Sequence, residues 1–249
     1  MVQKLVTPRL RLLIPLLLLT FAAGWAVACK AAPAESGRSA PVPAAPAAAP
    51  TPAAAPAPAP TGPLVAFLGD SLTAGLGLAA DQAYPAVLGR KLRAEGVPVR
   101  ILNAGVSGDT TAGGLSRLNW ILTQHPDVVV VGLGGNDGLR GLPIEEIDRN
   151  LREIVRRARQ AGAKVLLLGM RIPPNYGPDY TGRFAALYPQ IAKDLGVPLV
   201  PFLLDGVGGV PDLNQADGIH PTAHGHELVA ATVEPYLKKV LASAAAAAK

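Results

Sequence analysis

The chain has 249 residues, of which 49% are hydrophobic but only 4% aromatic, and its formal net charge is +5. The first 63 residues contribute +4 of this charge, through five basic side chains and one acid, so the rest of the chain is almost neutral. Nucleic-acid binding requires a basic face on the folded part, and we therefore expect no nucleic-acid partner.

The N-terminal segment predicts export from the cytoplasm. Lys4, Arg9 and Arg11 precede an apolar stretch that runs from Leu12 to Cys29 and ends in small residues. This arrangement is typical of a secretory signal peptide, to which we assign residues 1–29. An uncleaved membrane anchor is the alternative, because the apolar stretch approaches the length of a membrane-spanning helix.

Two modes of cleavage fit the end of this segment. Ala26-Val27-Ala28 matches the small-x-small pattern of ordinary signal peptidase, which would release the protein into the periplasm. The same residues followed by Cys29 resemble a bacterial lipobox, although Ala26 stands where leucine is usual. We favour lipidation of Cys29, because it is the only cysteine in the chain and has no intramolecular disulfide partner. Both modes predict an extracytoplasmic protein, and lipidation would hold it in the cell envelope, facing the periplasm.

Residues 30–63 are predicted to form a disordered linker. Of the thirty positions from 31 to 60, 14 are alanine and 9 are proline. Such a stretch has no apolar periodicity and cannot bury enough surface to offset the entropy of an ordered chain. Proline-rich linkers extend by about 3.1 Å per residue, so this one could span up to about 100 Å. We expect one folded domain at 64–241 and a frayed tail at 242–249.

Strand and helix patterns alternate five times within the predicted domain. Short apolar runs predict the strands, and the third run is β-branched and apolar on both faces, as in a central parallel strand. Periodic apolar positions, opened by proline or closed by glycine, predict the helices. The predicted strands are 64–69, 99–103, 127–133, 164–170 and 197–202, and the predicted helices are 84–95, 113–122, 143–161, 180–195 and 222–241. The alternation predicts a five-stranded parallel sheet with helices on both faces.

The loop after the first predicted strand, GDSLT at 69–73, lies where parallel sheets place their sites. A Walker phosphate loop is excluded, because no lysine stands between Gly69 and Arg90. Residues 75–80 match the spacing of a dinucleotide fingerprint, but they begin six residues after the strand. The second strand also ends in Asn103, where an acid should bind the ribose. We therefore expect no cofactor.

A nucleophile is a further interpretation of Ser71. Activation of a serine requires a base, an acid that orients the base, and donors to the oxyanion. His220 stands three residues after Asp217, a spacing that lets the carboxylate reach one imidazole nitrogen. From its neighbours alone, Ser71 could equally cap the next segment. His220 and His224 also raise a metal site, but only Glu227 could extend the ligand set, and we expect no metal.

Four blocks at the predicted ends of elements resemble, in order, the sequence blocks of the SGNH or GDSL hydrolases. They are GDSLT (69–73), NAGVSGDTT (103–111), GGND (134–137) and DGIHP (217–221). The resemblance covers essentially all of residues 64–241. The sequence around the first two blocks is most similar to the bacterial arylesterase and acyl-thioesterase/lysophospholipase branch. It implies an SGNH hydrolase fold, which is a flavodoxin-like three-layer αβα sandwich, and a serine esterase for carboxylic esters or thioesters. Such an enzyme needs a small acyl substrate but no metal, cofactor or protein partner.

The resemblance also implies a role for individual residues. Ser71 would be the nucleophile, His220 the general base and then acid, and Asp217 the group that fixes the histidine tautomer. The oxyanion hole would comprise the backbone N–H groups of Ser71 and Gly108 and the side-chain amide of Asn136.

Loop residues beside these groups are expected to line the acyl pocket, namely Arg140, Leu142, Met170, Ile172, Pro173 and Tyr176. Two other functions stay open. The same four blocks serve carbohydrate acetylesterases, which would suit a tethered enzyme acting on a cell-envelope glycan. The domain could also be a non-catalytic binding lipoprotein on a hydrolase scaffold.

Overall fold

The computed structural model describes residues 61–247, with side chains to Ser243. The predicted signal peptide, Cys29 and the linker up to residue 60 lie outside the described residues. Within the described range, no helix combines the length and the apolar character needed to cross a bilayer.

Five parallel strands form a single sheet with the order β2-β1-β3-β4-β5. The strands are β1 (Leu64–Gly69), β2 (Arg100–Gly105), β3 (Val128–Gly132), β4 (Lys164–Leu168) and β5 (Leu199–Val200). This is the flavodoxin-like order of doubly wound sheets, and it confirms the predicted fold class. In the register of the sheet, Gly69 lies opposite both Gly105 and Gly132, so the three strands nearest the site end at the same level.

Seven helices accompany the sheet in the described part of the chain. They are α1 (Ser71–Ala74), α2 (Tyr84–Ala94), α3 (Thr111–Leu122), α4 (Gly135–Leu139), α5 (Ile144–Gln160), α6 (Pro178–Leu195) and α7 (Ala223–Ala247). Helix α2 packs on α7 over one face of the sheet, whereas α5 packs between α3 and α6 over the other. The predicted three-layer arrangement is therefore present.

The sheet is held by an apolar core in which its central strands take part completely. Every residue of β1 and β3 is buried. Helix α5 buries Ile147, Leu151 and Ile154 against the core. Each such aliphatic side chain contributes about 1.5–3 kcal/mol when it is fully buried. The carboxyl ends of the central strands consequently form a rigid platform for the loops that follow them.

The largest differences from the sequence-based expectation concern four elements. Strand β5 has only two residues, because Pro198 and Pro201 flank it and proline cannot donate to a strand ladder. Helices α1 and α4 were not predicted, since four or five residues show no periodicity. Helix α7 continues to Ala247, beyond its predicted end and into the stretch that was expected to fray.

Candidate active site

A tight turn from β1 into α1 presents Ser71 at the carboxyl edge of the sheet. Asp70 is the N-cap of α1, and its Oδ1 accepts the N–H of Leu72 at 3.0 Å. Gly69 has no room for a side chain, since a Cβ there would lie 2.0 Å from Oγ1 of Thr73. Gly75 ends the helix in the left-handed region at φ 76°, which favours glycine. The glycines of the first block therefore shape the turn that carries Ser71.

The structure brings Ser71, His220 and Asp217 into one hydrogen-bonded chain, although Ser71 and His220 are 149 positions apart. Nε2 of His220 lies 2.7 Å from Oγ of Ser71. Nδ1 of the same ring lies 2.6 Å from Oδ2 of Asp217. With Nδ1 donating to the carboxylate, Nε2 is left as the acceptor for the serine proton. This geometry is the one in which a histidine can activate a serine hydroxyl.

Asp217 is held in its ionised form by the turn in which it lies. Its Oδ1 accepts the N–H groups of Ile219 at 2.9 Å and of His220 at 3.0 Å. The backbone bond from His220, then the bond to its ring and the bond from Ile219, lower the pKa of Asp217 to about 2. The carboxylate therefore stays charged through the neutral and mildly acidic range.

The segment that carries His220 is tied to the loop behind the serine by Gln215. The backbone N–H of Gln215 donates to the carbonyl of His220 at 2.7 Å. Its side-chain amide donates to the carbonyls of Leu76, at 2.7 Å, and Pro221, at 3.0 Å. A side chain at Gly77 would meet this amide, with a Cβ 2.4 Å from Oε1 of Gln215. Gly77 thus allows the two loops to approach each other.

The three predicted oxyanion donors lie on the wall of one cavity, together with His220. Ser71 begins α1, and the first N–H groups of a helix have no acceptor within it. Gly108 lies in the loop after β2 with φ 83°, a conformation that few other residues adopt. Asn136 lies in α4, and its Nδ2 donates to the carbonyl of Asp109 at 2.9 Å. Residues from two short helices and one loop thus bring the three predicted donors to the wall of the same cavity.

Asp70 is a second carboxylate of the site, and the sequence analysis assigned it no role. It is 3% exposed and lines the cavity, and its Oδ2 lies 3.4 Å from Nδ2 of Asn136. Burial raises the pKa of Asp70 to about 6, against the opposing effect of its bond from Leu72. The preference of helix N-caps for aspartate is the one signal that could have indicated its position.

The cavity beside Ser71 has a volume of about 640 Å³ and a mostly apolar wall. The apolar side chains are Leu72, Leu76, Leu139, Met170, Ile172, Pro173, Pro174, Phe202, Leu204 and Ile219. Charged residues contribute little to the wall, and Arg171 holds its guanidinium 4.9 Å from the centre of the Phe202 ring. The shape and the lining suit an acyl chain.

Of the residues expected to line this pocket, the structure places Ile172, Met170 and Pro173 in the wall. The wall of the cavity does not include Arg140, Leu142 or Tyr176, and contact of these three residues with an acyl chain stays a prediction.

Each of these three has a different setting. Nη2 of Arg140 donates to the carbonyl of Gly108 at 3.0 Å, so this side chain supports the loop from outside. The hydroxyl of Tyr176 donates to the carbonyl of Leu139 at 2.7 Å, and the carbonyl of Leu142 accepts from Tyr180. Arg140, Leu142 and Tyr176 therefore brace the ends of α4 and its following turn.

The other polar residues of the blocks have structural settings. Asp137 is buried and accepts the N–H of Thr111 at 2.9 Å and its hydroxyl at 2.6 Å. His224 lies in the first turn of α7 and contacts Glu227, whereas His226 is buried and accepts from the backbone of α2. Across residues 61–247, no group of three or more histidine, cysteine, aspartate or glutamate side chains could hold a metal ion.

Comparison with known proteins identifies the family. The sequence pattern of the GDSL-like lipase/acylhydrolase family matches residues 67–228. Esterase TesA of Pseudomonas aeruginosa PAO1 is 47% identical over 175 residues, which are 70% of this chain and 87% of that protein. Thioesterase 1/protease 1/lysophospholipase L1 of Escherichia coli K12 is 43% identical over 164 residues, 66% of this chain and 77% of that protein.

A solved structure agrees with these sequence relationships. The psychrotrophic esterase EstA from Pseudoalteromonas sp., inhibited by monoethylphosphonate, is 35% identical with a TM-score of 0.69. The match covers 72% of this chain and 99% of EstA. The chain therefore belongs to the GDSL-like lipase/acylhydrolase family of ester and thioester hydrolases.

Proposed function

We propose that this chain hydrolyses carboxylic esters or thioesters through an acyl intermediate on Ser71. The observation that carries the proposal is the hydrogen-bonded chain from Ser71 through His220 to Asp217, which opens into an apolar cavity. Relatives named esterase and thioesterase support the reaction class, and the phosphonate-inhibited EstA structure supports a nucleophilic residue.

The reaction begins with proton transfer from Oγ of Ser71 to Nε2 of His220 as the oxygen bonds to the carbonyl carbon of the substrate. The resulting imidazolium faces the ionised Asp217, whose pKa of about 2 keeps it charged. The tetrahedral intermediate collapses by expelling an alcohol or a thiol, which takes the proton from His220. Water then attacks the acyl group on Ser71 and gives a proton to His220. The second tetrahedral intermediate breaks its bond to Oγ of Ser71, which takes the proton from His220, and a carboxylic acid leaves.

The negative charge of each tetrahedral intermediate forms on the former carbonyl oxygen. The N–H groups of Ser71 and Gly108 and the amide of Asn136 donate to it, and none of them carries a charge that would bind the ground state equally well. Loss of one such donor typically lowers the rate by about 10²–10³-fold. In the free site Nδ2 of Asn136 donates to the carbonyl of Asp109 at 2.9 Å and to Oδ2 of Asp70 at 3.4 Å, and an oxyanion would displace the longer of these two bonds.

The apolar wall of the cavity favours acyl esters and thioesters over acetylated sugars. A sugar has hydroxyl groups that would each lose water without a matching partner on a wall of leucine, isoleucine, proline and phenylalanine. An alkyl chain gains about 0.8 kcal/mol for each buried methylene. We therefore propose an acyl-chain substrate for this cavity and do not retain the acetylesterase alternative.

We further propose that the enzyme is extracytoplasmic and held at a membrane by a lipid on Cys29. The basic and apolar start of the chain and the single cysteine before an alanine- and proline-rich stretch support this arrangement. Palmitate label should enter the unaltered protein and should not enter Cys29→Ser, because the Cys29 thiol is the proposed site of lipidation. Absence of label from the unaltered protein, or equal labelling of the two proteins, would contradict lipid anchoring.

The test of the reaction is a comparison of the unaltered protein with Ser71→Ala. We expect p-nitrophenyl octanoate hydrolysis and fluorophosphonate labelling to be lost together, because both require the Ser71 hydroxyl. Ser116→Ala, in which an exposed serine of α3 is removed, serves as the matched control and should keep both. Undiminished hydrolysis by Ser71→Ala would refute the mechanism.

A further inference from the structure

Arg117 lies on α3, outside the cavity wall, and its guanidinium joins three parts of the site. The side chain is 20% exposed. Its Nε donates to Oδ2 of Asp109 at 2.6 Å, and its Nη1 donates to the carbonyl of Ala104 at 2.7 Å. Its Nη2 donates to the carbonyl of Gly69 at 2.9 Å. One planar group thus binds the ends of β1 and β2 and the loop that follows β2.

Two of these acceptors lie next to residues that carry the proposed oxyanion donors. The carbonyl of Gly69 stands two residues before Ser71, at the last position of β1. Asp109 directly follows Gly108, so a bond to its carboxylate restrains the loop that presents the Gly108 N–H.

The third donor is reached through the backbone of the same aspartate. The carbonyl of Asp109 accepts Nδ2 of Asn136 at 2.9 Å. A shift of Asp109 would therefore move the acceptor that orients the Asn136 amide as well as the neighbouring Gly108. The guanidinium is consequently connected to all three donors through one or two hydrogen bonds and no more than two residues of backbone.

We propose that Arg117 is a positioning residue for the oxyanion hole, which fixes the donors of Ser71, Gly108 and Asn136 relative to one another. The inference rests on the proposed function, since it presupposes that these groups stabilise an oxyanion. Arg117 touches neither substrate nor reacting atoms, and it acts through Gly69, Ala104 and Asp109.

The shape of the guanidinium is what this role requires. Its donors point in fixed directions within one plane, so three acceptors on separate segments are held at set distances from one another. A lysine carries the same charge but has a single nitrogen on a flexible stem, and it cannot bind three divergent acceptors in the same geometry. Oxyanion stabilisation depends on donors that are already in place before the charge develops. A misplacement of about 1 Å can cost about 10²-fold in rate.

The main test is the full-length Arg117→Lys variant, which keeps the charge and removes the fork. We expect kcat for p-nitrophenyl octanoate to fall about 10–100-fold, while KM changes by less than about threefold, because the ground state does not use these donors. An alkyl boronic acid, whose adduct with Ser71 places a negative oxygen in the same hole, should lose affinity by the same factor as kcat/KM.

Two further variants separate positioning from general support of the fold. Arg152→Lys is the matched control, since Arg152 is 17% exposed and binds Asp148 and Asp194 far from the cavity. It should leave kcat and boronate affinity unchanged. Asp109→Asn weakens the same ion pair by changing the partner of Arg117. The two substitutions combined should lower kcat by less than the product of their separate effects, because they remove the same contact.

The outcomes are distinguishable. A folded Arg117→Lys protein with kcat and boronate affinity within about twofold of the unaltered protein would overturn the inference. A fall in kcat without a parallel fall in boronate affinity would also overturn it, because misplaced donors must affect both. Ser71→Ala, assayed alongside, tests the proposed function by itself: if it stays active the function fails, and if it is inactive an unaffected Arg117→Lys refutes only the positioning role.

Discussion

Two carboxylates flank the proposed nucleophile in opposite electrostatic environments. Asp217 is largely exposed and accepts backbone N–H groups, and these bonds lower its pKa to about 2. Asp70 is buried beside Ser71 and Asn136, and burial raises its pKa to about 6. The ionised Asp217 stabilises the fold and orients His220, whereas an ionised Asp70 carries a desolvation cost. Only the second carboxylate titrates near neutral pH.

Replacement of Asp70 by asparagine is therefore expected to stabilise the protein at neutral pH. Because the folded pKa of about 6 lies above the ordinary value of 3.8, ionisation is harder in the folded protein, and stability falls as pH rises from about 4 to 6. Asparagine keeps an acceptor for Leu72 and removes the charge. The gain in the free energy of unfolding at pH 7.5 should be on the order of 2–3 kcal/mol and should vanish below about pH 4. Urea unfolding at the two pH values measures it.

Asp212→Asn provides the comparison for this prediction, since Asp212 is exposed and lies in a single 3-10 turn. It should show no such pH-dependent gain. An Asp70→Asn protein that is less stable than the unaltered one at pH 7.5 would show that the ionised carboxylate contributes more through its bonds than burial takes away.

At the scale of single residues, the four sequence blocks were sufficient to predict that Ser71, His220 and Asp217 lie together. The sequence was not sufficient for Asp70, because the burial of that carboxylate arises from α4, which follows a distant strand. Arg117 could not be found either, since its three acceptors come from β1, β2 and the loop after β2. Contacts of this kind depend on strand order, which a local pattern does not specify.

At the scale of elements, the short helix α4 decides which loop residues reach the cavity. Arg140 is the C-cap of α4 and Leu142 follows it, and neither belongs to the cavity wall, whereas Ile172 in the loop after β4 does. Sequence reasoning treated both segments as irregular loops beside the site. A helix of five residues has too few positions to show a period, so the sequence pattern does not predict α4.

The two loops can be distinguished by acyl-chain preference. Ile172→Ala should enlarge the cavity and raise the ratio of kcat/KM for p-nitrophenyl laurate to that for the butyrate by about tenfold, in line with the effect of a methylene or two in an apolar pocket. Leu142→Ala is the matched control and should leave the ratio unchanged, because Leu142 lies outside the cavity wall. Equal changes in the two variants would contradict the assignment of the wall.

A buried histidine connects the starts of two helices behind the site. Nδ1 of His226, in the second turn of α7, accepts the backbone N–H of Tyr84 at the start of α2, at 3.1 Å. The ring of His226 stacks on that of Tyr84, and the tyrosine hydroxyl bonds to Oγ1 of Thr73 at 3.0 Å. Burial, and then the nearby positive charge of His220, lower the pKa of His226 to about 4. The contact therefore requires the neutral imidazole.

His226 should make the protein sensitive to acid. Its contribution to stability is complete above the ordinary pKa of 6.5 and is lost as pH falls toward about 4, because the unfolded chain takes up the proton first. His226→Asn keeps an acceptor for Tyr84 but does not titrate. Between pH 7 and pH 4.5, the free energy of unfolding should therefore fall by about 2 kcal/mol less in His226→Asn than in the unaltered protein. The exposed His224→Asn should not alter this loss, and a His226→Asn protein with an unchanged pH dependence would contradict the prediction.

At the scale of the whole molecule, the alternation of strands and helices was enough to predict the layers, the parallel sheet and the edge that carries the site. It did not predict where the edge strands end. Strand β5 is cut short by its two prolines, and β2 runs on to Gly105 because its pairing with β1 continues to Gly69. The end of each strand is therefore set by the missing proline N–H or by the pairing with the neighbouring strand, rather than by hydrophobicity.

The described domain should fold and act without the first 61 residues. Among the residues that the structure describes, the buried apolar cluster extends from Val65 to Leu241. The start of β1 is tied to β2 just before the first core residue, since the carbonyl of Gly62 accepts Nε of Arg100 and that of Pro63 accepts its backbone N–H. A chain that begins at Gly62 should therefore retain the melting temperature and the kcat/KM for p-nitrophenyl octanoate of the full-length protein.

A chain that begins at Leu64 loses both acceptors and should be less stable by about 1–3 kcal/mol, at about 1 kcal/mol for each hydrogen bond. Equal stability of the two truncated chains would show that the 62–63 segment does not hold the strand, and loss of activity in the longer one would place a necessary part of the enzyme before Gly62.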